Sequence, residues 1–127
     1  MFAPRIVGGP GGFHARADLA PAIDLVHLAR QTDGDSLLEG ELLGLFHRQA
    51  ARLIAELAPR GASARARADL AHKLRGSALA IGAGRVAAAA RAVEQAFAAG
   101  GSEPHAEIAE LSEAVDEARA AILALRD

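Results

Sequence analysis

Cysteine, tryptophan and tyrosine are absent from this 127-residue chain, and phenylalanine occurs only four times. Without cysteine the chain forms no disulfide and offers no thiol nucleophile, and it suits a reducing compartment. The shortage of aromatic side chains leaves no platform on which nucleic-acid bases could stack. The net charge is only −2, so no overall field attracts nucleic acid or an anionic membrane. No apolar run approaches the roughly 18 residues that a membrane span needs. We therefore expect a protein that binds neither nucleic acid nor membrane, and the composition leaves the compartment open but compatible with the cytoplasm, where we expect it.

Alanine dominates a hydrophobic fraction of 51%. Because alanine is the best helix former, this composition predicts an all-α fold, and the length suits a single domain. Apolar residues recur at helical spacing in five segments separated by glycine, proline and capping residues. Since short connections join long amphipathic helices, we predict an antiparallel up-down four-helix bundle with an additional N-terminal helix over one end. The expected first helix is Asp18–Gln31, the second starts at Ser36, Gly82–Gly84 breaks the third, Gly100–Gly101 stops the fourth, and Ser102 caps the last.

The first 17 residues have a different composition from the rest. The run Gly8–Gly12 predicts a flexible leader over residues 1–17, followed by the bundle domain over residues 18–127. Met1–Gly12 has no apolar core of the kind a signal peptide carries. Three apolar residues of the leader, Phe2, Ile6 and Phe13, are candidates for attaching parts of it to the bundle.

The stretch Leu70–Ala83 carries the most informative residues of the chain. Projected as a helix, it divides into two faces. The predicted core face is Leu70, Leu74, Ser77 and Ile81; the face predicted to meet water is His72, Arg75, Gly76, Leu79 and Ala83. A glycine inside a helix costs about 0.5–1 kcal/mol relative to alanine. Such a cost on an exposed face suggests that another molecule approaches the backbone closely beside the histidine.

This stretch resembles the signature of the histidine-containing phosphotransfer (HPt) domain family. That signature is His-x-Leu-Lys/Arg-Gly-Ser followed by an Ile/Val/Leu-Gly-Ala step. The chain reads HKLRGS at His72–Ser77 and IGA at Ile81–Ala83. The likeness covers about residues 18–99 and is weak outside them; Glu94 lies in the segment similar to the family's next helix.

The resemblance implies that His72 is phosphorylated and that Arg75, with Lys73, helps to hold the phosphoryl group. It also implies that Gly76 lets a partner come close. We expect Leu79 and Ala83 to extend this docking surface, and Ser77 to make a supporting hydrogen bond rather than take part in catalysis. An imidazole with a pKa of about 6.5 is a competent nucleophile near neutral pH.

The resemblance implies response-regulator receiver domains as partners, with a hybrid histidine kinase as a further candidate. Mg²⁺ is expected on the receiver, so this chain needs no cofactor and has no metal site. We expect a monomeric phosphoryl carrier without kinase activity of its own.

Other functions fit the sequence less well. A di-metal carboxylate bundle needs Glu-x-x-His motifs, which the chain lacks. A kinase dimerisation helix usually has an acid directly after its histidine, where this chain has Lys73. The alternative from a different class is a helical adaptor that binds a signalling partner without phosphotransfer. The excess of basic residues over residues 60–75 suggests a docking role for that segment in either case.

Overall fold

A computed structural model describes residues 21–58 and 62–126 of the chain. Within these ranges the protein has five α-helices and no strand, as the composition predicts. The predicted leader, residues 1–17, lies outside the described residues. The helices are α1 (Leu25–Gln31), α2 (Ser36–Glu56), α3 (Ala64–Ile81), α4 (Gly84–Ala99) and α5 (His105–Arg126).

Polar side chains cap the N-termini of the first three helices. The side chains of Asp24, Asp35 and Ser63 each accept a hydrogen bond from a backbone N–H in the first turn that follows. These bonds satisfy donors that have no partner inside the helix. Helix α3 ends at Gly82, whose φ of 79° is left-handed, which confirms the predicted break.

The predicted starts of the first and last helices are wrong. Helix α1 begins at Leu25 rather than Asp18, because the backbone N–H of Asp24 donates to the carbonyl of Gly82 and ties this residue to the end of α3. Residues 18–20 lie outside the described ranges. Helix α5 begins at His105, and the carbonyl of Pro104 accepts its first helical hydrogen bond, from Ile108. Ser102 is therefore too early to be its cap.

Alanine fills much of the core. Ala50, Ala71, Ala78 and Ala90 have no exposed surface, and they lie among larger buried residues such as Leu74. Because alanine has a single methyl group, neighbouring helices pack closely where it lines their contact. Helix α3 packs against α1, α2 and α4, and α5 packs against α2 and α4.

The buried face of α3 differs from the predicted one. Leu74 and Ile81 are buried as expected, but Leu70 and Ser77 are only half-buried. Ala71 and Ala78 occupy the centre of the face instead. The helical projection predicts that the larger leucine side chains face the core. Helices that pack closely instead bury small side chains at the centre of their contact.

The buried Arg67 joins its own helix, α3, to three other parts of the fold. The Nε–H of Arg67 donates to the carbonyl of Leu57 at 2.8 Å, and its Nη1 donates to Glu103 at 2.7 Å. Its guanidinium also lies 4.9 Å from the centre of the Phe97 ring, within cation–π range. The hydrogen bonds from Arg67 lower the pKa of the Glu103 carboxyl. Arg67 therefore connects the ends of α2 and α4 to the start of α3 and the segment before α5.

Helix α1 is attached to the C-terminal end of α3. The imidazole Nε2 of His27 lies 2.7 Å from the carbonyl oxygen of Leu79, and the N–H of Asp24 lies 2.9 Å from that of Gly82. Both contacts satisfy carbonyl groups near the end of α3 that have no N–H donor within the helix. None of the helices in the described ranges has the length and apolar character needed to cross a membrane.

Candidate functional site on helix α3

His72 lies on the outer surface of α3, as the helical projection predicts. Its side chain is 66% exposed. Gly76 and Leu79 follow on the same face, one and two turns later, and Leu79 is also exposed. A Cβ built on Gly76 has no atom within 4 Å, so this glycine leaves open space beside the imidazole. The exposed ring and the low surface next to it leave room for a second molecule.

Glu94 on α4 fixes the orientation of the His72 ring. Its Oε1 lies 2.9 Å from Nδ1 of His72. An ionised carboxylate only accepts hydrogen bonds, so the tautomer that fits this contact carries its proton on Nδ1. Nε2 then keeps its lone pair, with solvent in front of it. The pair has the chemistry of a positioned nucleophile whose second nitrogen is held by an acid.

Arg75 completes a cluster of three residues with His72 and Glu94. Its Nε lies 3.2 Å from Oε2 of Glu94, and its Nη2 lies 3.5 Å from Nδ1 of His72. Oε2 is buried and has no aligned hydrogen bond in the described part of the chain, so its contact with Arg75 is an ion pair rather than a well-formed hydrogen bond. Glu94 therefore faces the imidazole with one oxygen and the guanidinium with the other.

Lys73 and Ser77 lie close to His72 in the sequence but outside this cluster. Lys73 is exposed, and Ser77 is half-buried. Among the described residues, no hydrogen bond or ion pair joins either of them to His72. Their proposed roles, holding a phosphoryl group and supporting the site, stay predictions.

Two residues predicted to face a partner are buried instead. Ala83 has no exposed surface and cannot form part of a docking surface. The helical projection fails there because α3 ends at Ile81 and the left-handed Gly82 redirects the chain into the core. Arg67, counted in the basic segment expected to dock a partner, is 4% exposed and is paired with Glu103.

The role of Glu94 is the main feature that the sequence pattern does not assign. A signal for it exists in the spacing of the helices. His72 and Glu94 are each eleven residues from Ala83, which lies between α3 and α4. In two antiparallel helices joined by so short a connection, residues at equal distance from the turn lie side by side. Within the described ranges, no three histidine or acidic residues are grouped as a metal site.

Comparison with known proteins identifies the family. The model of the Hpt domain matches residues 41–121, which is more than half of the 127-residue chain. The matched range contains His72, Arg75, Gly76 and Glu94, and helix α1 lies outside it. Comparisons with curated proteins and with solved structures give no match. The chain therefore belongs to the Hpt domain family, the histidine-containing phosphotransfer domains.

Proposed function

We propose that this chain carries a phosphoryl group on Nε2 of His72 in a phosphorelay. It would accept the group from a receiver-domain aspartate or from a histidine kinase, and donate it to another receiver. The observation that supports this most directly is the contact between Glu94 and Nδ1 of His72, which leaves Nε2 as the exposed nitrogen with a free lone pair.

The chemical step is a transfer between two nucleophiles. The lone pair of Nε2 attacks phosphorus, an N–P bond forms, and the bond between phosphorus and the aspartyl oxygen of the donor breaks. The donor carboxylate leaves with the electron pair. The ring keeps its proton on Nδ1, where the Glu94 carboxylate offsets the positive charge that develops on the imidazole. Donation to the next receiver is the same step in reverse.

The positive charges of Arg75 and Lys73 would stabilise the negative charge of the phosphoryl group during transfer. Phosphoryl transfer depends mainly on positioning and electrostatic stabilisation. Arg75, three residues after His72, already has Nη2 close to the ring. We propose that it turns from Glu94 toward the phosphoryl oxygens, and that the exposed Lys73 adds a second positive charge. Mg²⁺ is expected on the receiver.

Gly76 and Leu79 form the proposed docking surface. Gly76 has open space above its backbone, and Leu79 offers an exposed apolar side chain on the same face. A receiver domain that brings its aspartate to Nε2 must contact this part of α3. We propose that the chain works as a monomer in the cytoplasm, the location that the family resemblance implies for these partners.

We also infer that α2–α5 form an antiparallel up-down bundle with α1 over one end. Contacts between consecutive helices support this arrangement. Arg67 near the start of α3 meets Phe97 near the end of α4, and Arg85 near the start of α4 pairs with Glu117 in the second half of α5. The Nε–H of Arg119 on α5 donates to the carbonyl of His47 on α2 at 3.0 Å, which joins the first and last helices of the four.

Phosphorylation of defined variants tests the proposed function. We expect the wild-type chain to gain acid-labile, base-stable phosphate from a phosphorylated receiver and from phosphoramidate. His72→Gln should lose both reactions and keep its melting temperature, because the side chain is exposed. His105→Gln is a matched control, since His105 is also exposed and lies outside the site.

Two outcomes would contradict the proposal. Phosphate on the His72→Gln variant would move the reaction to another residue. Binding of a receiver without any labelling of the wild-type chain would favour the helical adaptor instead. A panel of phosphorylated receivers, each followed by single-turnover kinetics, would also identify the donor and acceptor.

A further inference from the structure

Arg75 is the one cation that contacts the buried oxygen of Glu94 in the described part of the chain. This oxygen, Oε2, lies 3.2 Å from Nε of Arg75, whereas Oε1 faces the His72 ring. When Arg75 turns toward a phosphoryl group on His72, Oε2 loses its ion pair. A buried ionised oxygen without a partner is costly, because it has given up its contact with water. The movement of Arg75 therefore calls for a second cation beside Glu94.

Arg91 has the position to supply this cation. Ala90 and Val93 of α4 are buried, so the residue after each of them, Arg91 and Glu94, lies at the same edge of the helix. Residues three apart in a helix have Cβ atoms about 5–6 Å from each other. Glu94 is also the single acid of α4, so Arg91 has no other acid to pair with on its own helix.

The Arg91 side chain has no partner of its own. It is exposed, and within residues 21–58 and 62–126 it takes part in no hydrogen bond or ion pair. Arg75 and Arg91 are each eight residues from Ala83, so the adjoining α3 and α4 place them side by side. Two guanidinium groups at this spacing repel each other unless an acid lies between them, and Glu94 is within reach of both. Arg91 can therefore pair with Glu94 as soon as Arg75 leaves.

We propose that Arg91 takes the place of Arg75 on Glu94 when Arg75 turns to the phosphoryl group on His72. Arg91 is then a positioning residue, which acts on the reaction through Glu94 and Arg75 and does not contact the phosphoryl group. The exchange keeps Glu94 ionised and paired, so that its other oxygen still holds Nδ1 of the ring. The pairing of Arg91 with Glu94 after removal of Arg75 stands by itself, whereas its part in transfer rests on the proposed function.

Melting temperatures test the pairing without any phosphoryl donor. In wild type, Arg91→Gln should change the melting temperature by less than about 1 °C, because Arg91 has no partner there to lose. In Arg75→Ala, the same change should lower the melting temperature by about 3 °C, because it removes the cation that has moved to Glu94. Arg91→Lys keeps the charge and should restore most of this loss. Arg48→Gln is the matched control, since Arg48 is exposed on α2 and, among the described residues, also unpaired.

Labelling of His72 by phosphoramidate tests the role in transfer. Arg91→Gln should slow this labelling by about three-fold, because Glu94 is then left unpaired when Arg75 turns away. In Glu94→Gln, which has no charge to compensate, Arg91→Gln should leave the rate unchanged. The small donor excludes any contact between Arg91 and a receiver. Arg48→Gln should leave the rate unchanged in both backgrounds.

Three results would overturn the proposal. Equal effects of Arg91→Gln on the melting temperature with and without Arg75 would exclude the pairing, and Arg75→Met supplies a second background if Arg75→Ala does not fold. Equal slowing of the labelling with and without the charge of Glu94 would show that Arg91 acts on the phosphoryl group itself. No slowing in wild type would remove Arg91 from the reaction. If phosphoramidate does not label the wild-type chain, the proposed function fails, while the melting temperatures still decide whether Arg91 pairs with Glu94.

Discussion

Glu94 holds the imidazole of His72 from the neighbouring helix, with Oε1 of the acid 2.9 Å from Nδ1 of the ring. The contact assigns the proton to one nitrogen and leaves the other free for chemistry. It also makes α4 part of the site, although the family motif lies entirely on α3 and its C-terminal turn.

The first prediction concerns the charge of this acid. Glu94→Gln keeps an acceptor oxygen but removes the negative charge that faces the developing imidazolium. Charged hydrogen bonds exceed neutral ones by about 1 kcal/mol, so we expect labelling by phosphoramidate to slow by about five-fold. Single-turnover labelling measures this, with Glu113→Gln on the exposed face of α5 as the control. Equal rates for both variants would remove Glu94 from the mechanism.

The second prediction compares two arginines of α3. Arg75→Ala should slow transfer from a phosphorylated receiver more than Arg65→Ala does, because only Arg75 lies beside the ring. A well-placed electrostatic stabiliser is worth up to a few kcal/mol, and we expect the lower end, about ten-fold in rate, because the side chain is 31% exposed. Arg65 is exposed in the first turn of α3 and serves as the matched control. Indistinguishable rates would exclude Arg75 from contact with the phosphoryl group.

Gly76 separates docking from chemistry in the third prediction. Gly76→Ala should stabilise the free domain by roughly 0.4–1 kcal/mol, since its Cβ meets no other atom. Gly76→Gln should keep the melting temperature but lose transfer from the receiver, because its side chain stands where the partner must approach. Phosphoramidate should still label this variant. Transfer at the wild-type rate would show that the glycine does not clear a docking surface.

A second glycine gives the opposite expectation. Gly82→Ala should destabilise the domain by at least about 1–2 kcal/mol, because φ is 79° and the added Cβ would lie 2.8 Å from the carbonyl oxygen of Asp24. Chemical denaturation of Gly82→Ala and of Gly76→Ala compares the free energies of unfolding. Gly76 lies inside α3, and Gly82 caps its C-terminus. Equal stabilities would contradict the close attachment of α1 to the end of α3.

The fifth prediction follows from the ion pair between Arg67 and Glu103. Because Arg67 lowers the pKa of Glu103 in the folded protein, the pair contributes stability above the ordinary pKa of the acid, 4.5. That contribution is lost as the pH falls below this value and through the lowered pKa. Thermal melts should show wild type more stable than Glu103→Gln at pH 7, with the difference shrinking below about pH 4.5. Glu113→Gln is the control, and a difference that is constant with pH would contradict the ion pair.

The sequence predicts the helices and the exposure of the His72 side chain well, because both depend on local signals. Glycine, proline and capping residues place most of the breaks, and the outward angle of His72 follows from helical spacing alone. The projection misplaces Ala83 because it continues past a helix end that a single left-handed residue creates. Arg67 has the local pattern of a surface cation, since nothing in its neighbourhood along the chain reveals a partner as distant as Glu103.

The small alanine side chains of the core set the distance between helices α3 and α4. That distance decides whether the hydrogen bond between His72 and Glu94 can form. Helix axes lie about 8–10 Å apart, and small side chains favour the shorter distance. Ala71 and Ala78 on α3, with Ala87 and Ala90 on α4, are the buried small residues of these two helices. A larger side chain in this layer would push the helices apart and pull the acid away from the ring, without touching either residue. The spacing between His72 and Glu94 thus depends on methyl groups on the buried faces of both helices.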